Sequence, residues 1–197
     1  MKQKLLPVLF SLATGILLGL IAKYSDTVTG SGLVWGLISQ ITTGLGLWVF
    51  LATLIAAWSQ SPGLGALKVF AFFVGMLAAY YLYSMQVFGF FPIYHFVRWG
   101  GIALASPVAA YIAWYSRRTG WGAALCAALP AGLLLELGYH FVYTLEIALA
   151  FDLLAGASLL LVLPSSNRQR LLACTMAFVL AVLLRCSGAL AYLFGGL

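Results

Sequence analysis

The sequence predicts an all-α, polytopic membrane bundle of seven spans with its N-terminus in the cytoplasm. Three observations carry this reading. The 197 residues are 64% hydrophobic and only 7% charged, with a mean hydropathy of +1.08, whereas a soluble domain carries about a quarter charged residues. Such a chain cannot clothe a water-facing surface. Its apolar runs reach the roughly 20 residues that cross a bilayer as a helix. The alternation of a membrane barrel is absent, and an open sheet would leave backbone groups unpaired in lipid. No polar linker is long enough to divide the chain, so residues 1–197 are expected to form a single domain.

The first run, about 5–24, follows a basic head and resembles a signal peptide. At about 18 residues it is long enough to span, and it is read as an uncleaved membrane helix. "YSDTVTGSG" ends it. A second helix covers about 33–58 up to "SQSPG", and its early part, "GLVWGLISQ", reads as a separate interfacial piece. The third, about 65–85, precedes "QVFGFFP". The fourth covers about 93–116 and the fifth about 121–141, with kinks expected at Pro107 and Pro130. The sixth covers about 144–163 and ends at "PSSNRQ"; the seventh covers about 169–195. Six spans plus a re-entrant segment is the alternative.

Seven spans with the N-terminus inside put Lys2, Lys4, Lys68, Arg117, Arg118, Arg168 and Arg170 on the cytoplasmic side, seven of the ten basic residues. The net charge of +6 therefore reads as a topology signal and an affinity for anionic lipid, not as a nucleic-acid footprint. A bacterial plasma membrane is the expected location.

The same topology gathers the acids and histidines in the outer half. "LLLELGYHFVYTLEIALAFDLL" (133–154) carries Glu136, His140, Glu146 and Asp152, in a chain with four acids and two histidines in total. His95, Arg98 and Arg185 lie at similar depths. A charge in hydrocarbon costs at least about 2.5 kcal/mol unless it finds a partner or water. Two pairings are therefore expected: Arg185 with Asp152, and Arg98 with Glu136 or Glu146. Glu136 and His140, spaced i,i+4, share one helix face. Glu146 and Asp152 lie about 120° apart around theirs, which leaves Glu146 at the flank or the headgroups. Tyr80, Tyr81, Tyr83, Tyr94, Tyr139 and Tyr143 complete a polar pocket open to the outside, or form an interfacial belt. Lys23 and Asp26 read as interface residues. Gly15 and Gly19, a GxxxG pair, read as a helix-packing face, as do Gly44 and Gly46.

Several chemistries find no support. Two histidines and no H-E-x-x-H do not make a zinc site of the usual kind. Cys126, Cys174 and Cys186 lack metal spacing and read as buried apolar groups. No G-x-S-x-G and no nucleotide loop occurs. No cofactor is expected, and catalysis is the less favoured class because no catalytic constellation is visible.

The segments "LLGLIAKYSD", "VFAFFVGMLAAYYLY", "GFFPIYHFVRWG" and "LPSSNRQRL" together resemble a family of small bacterial polytopic membrane proteins, and they carry no catalytic motif. In architecture the chain is similar to the substrate-binding subunits of energy-coupling-factor vitamin transporters. That likeness implies a small solute held near the outer face and a small-residue docking face on the first helix for a partner subunit. "ATGILLG" (13–19) echoes such a face loosely, and the seventh span departs from the usual six. The leading expectation is a membrane protein that binds or helps transport a small solute, with Asp152, Arg185, Glu136, His140, Arg98, Glu146 and His95 as candidate ligand contacts. The lipid bilayer is the surrounding partner, and a membrane subunit or a second copy of the chain is a candidate partner protein. The alternatives are an intramembrane enzyme acting on lipid or a lipid-linked substrate, and a non-catalytic structural protein.

Overall fold

A computed structural model of the chain describes residues 2–28, 32–89 and 91–190, with side chains from residue 5 onward. Among the described residues every regular element is helical: α1 (Lys2–Thr27), α2 (Leu33–Thr43), α3 (Leu45–Ala57), α4 (Pro62–Phe88), α5 (Ile93–Tyr115), α6 (Trp121–Gly138), α7 (Phe141–Thr144), α8 (Ile147–Val162) and α9 (Asn167–Ser187). The fold is the expected all-α polytopic bundle.

Two helices, α4 and α9, start and stop where the sequence supplies caps. Ser61 accepts the Leu64 N–H at 3.3 Å, with Pro62 in the first turn of α4, and Ser166 accepts the Gln169 N–H at 3.2 Å to open α9. Gly89 and Gly188 close α4 and α9 at φ 68° and 62°, a conformation that costs glycine nothing. The helices run on through Pro107 and Pro130.

Among the described residues, five helices are long and apolar enough to cross a membrane, and six if α2 and α3 count as one span bent by 69°. The expected sixth span, about 144–163, corresponds to α8. Its 16 residues rise only about 24 Å, short of a hydrocarbon core of about 30 Å. The expected second helix is interrupted at Gly44, whose extended backbone (ψ 158°) caps both halves. The break leaves backbone carbonyls without helical partners, and the Trp48 indole N–H closes one of them by donating to the Thr42 carbonyl at 2.9 Å. α9 stops at Ser187, and the expected extension to about 195 falls partly outside the described residues.

Two lobes flank the broken helix. In the first, α1 lies parallel to α4 and α5 packs on the far side of α4. The α1–α4 seam is backbone on backbone: a Cβ at Gly15 or Gly19 would overlap the Phe72 or Met76 carbonyl, and one at Gly75 would meet the Leu12 carbonyl. Gly15 and Gly19 thus form the packing face expected of them. In the second lobe α6 packs against both α8 and α9, with alanines 124, 127, 128, 131, 173 and 177 fully or almost fully buried between them. α3 sits between the lobes and contributes to both cores: Trp48 and Ala56 to the first, Ala57 to the second.

Candidate functional site

Where α1, α2, α3, α4 and α5 meet, at the Asp26 end of the bundle, the structure encloses a cavity of about 350 Å³. At the Gly44 break α2 departs from the line of α3 by 69°, and Thr42 and Thr43 at its end line the cavity. Asp26, in the last turn of α1, is its acid. The Asp26 carboxylate accepts hydrogen bonds from Tyr80 Oη at 2.8 Å, Ser39 Oγ at 3.1 Å and Thr43 Oγ1 at 3.5 Å. Ser39 and Thr43 are i,i+4 on α2, so one face of that short helix presents both hydroxyls. Charge-assisted bonds of this kind are about twice as strong as neutral ones.

The cavity wall is aromatic. Trp48 packs edge-on against Trp99 at 6.3 Å, and Tyr81 against Tyr80 at 5.2 Å and Phe96 at 5.1 Å. Lys23, one turn before Asp26, holds its ammonium 4.7 Å from the Tyr80 ring centroid and 4.9 Å from that of Phe88. A cation thus already sits on the tyrosine face, as ring quadrupoles favour. Ser84, 1% exposed, lines the cavity, and its hydroxyl has no hydrogen-bond partner among the described residues. His95 completes the rim.

The residues singled out in the sequence divide among three places. Glu136, His140 and Arg185 come together where α6 and α9 end. Arg185 Nη1 lies 2.6 Å from His140 Nε2 and 3.9 Å from Glu136 Oε1, and its guanidinium stacks 4.6 Å from the Tyr139 ring. A guanidinium only donates, so Nε2 is the acceptor. Asp152 lies elsewhere. The expected Asp152–Arg185 pair does not form, because α6 stands between α8 and α9 and because α9 ends early, which leaves Arg185 in its last turn. Asp152, 8% exposed, sets its carboxyl against Gly46, where a Cβ would overlap it. Gly46 is in the first turn of α3, where backbone N–H groups lack helical partners and the helix dipole is positive. Among the described residues no side chain hydrogen-bonds or ion-pairs with Asp152. Arg98 is exposed on α5 and forms no ion pair with Glu136 or Glu146. Glu146 is exposed at the N-cap of α8 without a capping bond. Of the seven, only His95 reaches the cavity.

Asp26 is the residue that sequence reasoning missed. Its place one residue from the end of a span made it look interfacial. The available signal was the Ser39/Thr43 pair on the short helix beside it, together with Tyr80 two spans further along the chain. Among the described residues, no three His, Cys, Asp or Glu side chains gather to hold a metal ion.

Fold and site together define a multi-pass α-helical membrane protein with an aromatic, acid-bearing cavity at one end. No family model, curated protein or solved structure matches the chain.

Proposed function

We propose that the protein binds a small solute bearing an ammonium or other cationic nitrogen in the Asp26 cavity, as a binding or transport subunit of a bacterial plasma membrane. The observation that carries this reading is the conjunction of one carboxylate, an unpartnered serine hydroxyl and tryptophan and tyrosine rings around about 350 Å³, within the range of small-molecule sites. Asp26 meets the ligand nitrogen, Tyr80 and Trp99 its cation–π faces, and Ser84 a polar substituent. Lys23, over the Tyr80 ring, swings out when the ligand binds.

Positive-inside counting of Lys68, Arg117, Arg118, Arg168 and Arg170, all at the opposite end of the bundle, supports placing the cavity on the outer side. The break at Gly44 supports a transport role, since interrupted spans are the places where transporters place polar backbone beside a solute. The glycine face of α1 is consumed by α4, so a partner subunit, if the protein works with one, docks elsewhere.

Isothermal titration of the detergent-purified protein with a panel of small organic amines and their uncharged isosteres tests this. At least one amine binds, its isostere binds weakly, and Asp26→Asn weakens the amine roughly 10- to 100-fold, the loss of one charge-assisted bond. Equal binding of amine and isostere, or full affinity in Asp26→Asn, overturns it.

A further inference from the structure

The basic end of the bundle carries a groove of about 440 Å³. α1 and α3 both pack on α4 and wall it, with Leu6 and Phe10 from the first and Ile55 and Trp58 from the second. Ser11 of α1 and Lys68 of α4 lie at its base. Leu6 and Phe10 are exposed, so the α1 wall gives onto hydrocarbon. The groove shares no lining residue with the Asp26 cavity, which sits at the other end of the bundle.

This apolar groove holds two polar groups without partners. In the parallel α1–α4 seam Gly15 meets Phe72 and Gly19 meets Met76, and the same register sets Ser11 level with Lys68. Lys68 is half-buried, and its ammonium has no hydrogen bond, ion pair or ring contact among the described residues. Ser11 is 6% exposed, and its hydroxyl is also without a partner among the described residues. Thr14, three residues on, ties its hydroxyl to the Phe10 carbonyl at 2.9 Å, the usual recourse of a hydroxyl in a helix; Ser11 makes no such bond. Among the described residues no fully enclosed side-chain oxygen or nitrogen lacks a partner. The unpaired Ser11 oxygen is therefore open, and the groove is what it opens to.

The chemistry of the base selects the occupant. An ammonium has donors and no acceptor, and Ser11 adds a donor at the same level, so the groove calls for an anion that carries further acceptor oxygens. A neighbouring apolar helix brings neither, because its carbonyls are engaged in its own backbone bonds. A glycerophospholipid brings both: a phosphate, and ester carbonyls one step deeper. Lys68 stands about 9 Å past Pro62 along α4, and a lysine at such a depth lays its stem along apolar surface with its ammonium toward the headgroups. At the rim, the Arg117 guanidinium stacks 4.4 Å from the Trp58 ring. Arg118, Arg168 and Arg170 lie at the same end, and a basic cluster at a membrane surface favours lipids of net negative charge.

We infer that this groove is a site for an anionic glycerophospholipid, with its phosphate on Lys68, an ester carbonyl accepting from Ser11, and an acyl chain along Phe10 and Ile55. Trp58 and Arg117 flank the headgroup.

Native mass spectrometry of the delipidated protein in neutral detergent, titrated with phosphatidylglycerol or with phosphatidylcholine of the same chains, tests the inference. The parent retains one phosphatidylglycerol, roughly five- to tenfold better than phosphatidylcholine. Lys68→Met removes that preference. Ser11→Ala weakens both lipids roughly two- to tenfold, since both carry the ester. Arg170→Gln makes the same charge change outside the groove and leaves the preference intact. Equal retention of the two lipids by the parent, a preference that survives Lys68→Met, undiminished binding in Ser11→Ala, or an equal loss of preference in Arg170→Gln overturns the assignment. So does a parent that retains neither lipid, the result expected if an acidic partner helix is what fills the groove.

Discussion

Replacing Gly75 with alanine probes the close backbone approach between α1 and α4. The added Cβ would stand 2.5 Å from the Leu12 carbonyl oxygen and 3.2 Å from the Ile16 nitrogen, whereas ordinary contact begins at 3.4 Å. The obstacle is main chain, which no rotamer change relieves, so α1 and α4 must part by about 0.9 Å, the difference between 3.4 and 2.5 Å. A gap of that size forfeits a quarter to a half of each dispersion contact along the seam, and overpacking of this kind costs about 1–3 kcal/mol. For a chain of this length 1 kcal/mol moves Tm by about 2–4 °C. Gly75→Ala is therefore expected to melt some 2–12 °C below the parent in a detergent thermal scan. Gly100 on α5 has nothing within 4 Å of an added Cβ, so Gly100→Ala is the control; it holds Tm or raises it slightly. An unchanged Tm for Gly75→Ala, or an equal drop for Gly100→Ala, refutes the packing argument.

Two further predictions use the same assay. Gly46→Ala drives a methyl into the Asp152 carboxyl and costs about 1–3 kcal/mol, and adding Asp152→Ala restores most of the lost Tm; an additive or worse double variant would show that the two residues are not in contact. Gln169, 4% exposed, accepts from the Ser165 hydroxyl at 2.8 Å and donates to the carbonyls of Ser116 and Arg118 at 3.3 and 3.0 Å, so it ties the α5–α6 loop to the start of α9. Gln169→Ala leaves buried carbonyls unmatched, at about 1–3 kcal/mol, and a Tm within 1 °C of the parent would contradict that role.

Much of the fold was legible because a lipid solvent imposes it. Hydropathy located the helices, "SQSPG" and "PSSNRQ" marked ends, and Gly15 and Gly19 declared a close-packed face. The early segment "GLVWGLISQ" was legible as a separate piece, and the structure breaks that helix at Gly44. The pairing of charges was not legible. Depth follows from counting residues at a fixed rise, but azimuth and neighbour order depend on which helices pack together. Asp152 and Arg185 were assigned similar depths, yet α6 separates their helices. The same gap hid Asp26: its partners come from two separate stretches of sequence, Ser39 and Thr43 on α2 and Tyr80 on α4, and only helix packing brings them to one carboxylate.

Native mass spectrometry of the protein, purified gently from its own membranes, tests the solute cavity most directly. The account predicts a small-molecule adduct on the parent chain that is lost in Asp26→Asn and in Ser84→Trp, which fills the cavity, and is kept in Asp152→Asn. An adduct that survives both cavity variants, or that disappears with Asp152→Asn alone, would contradict it.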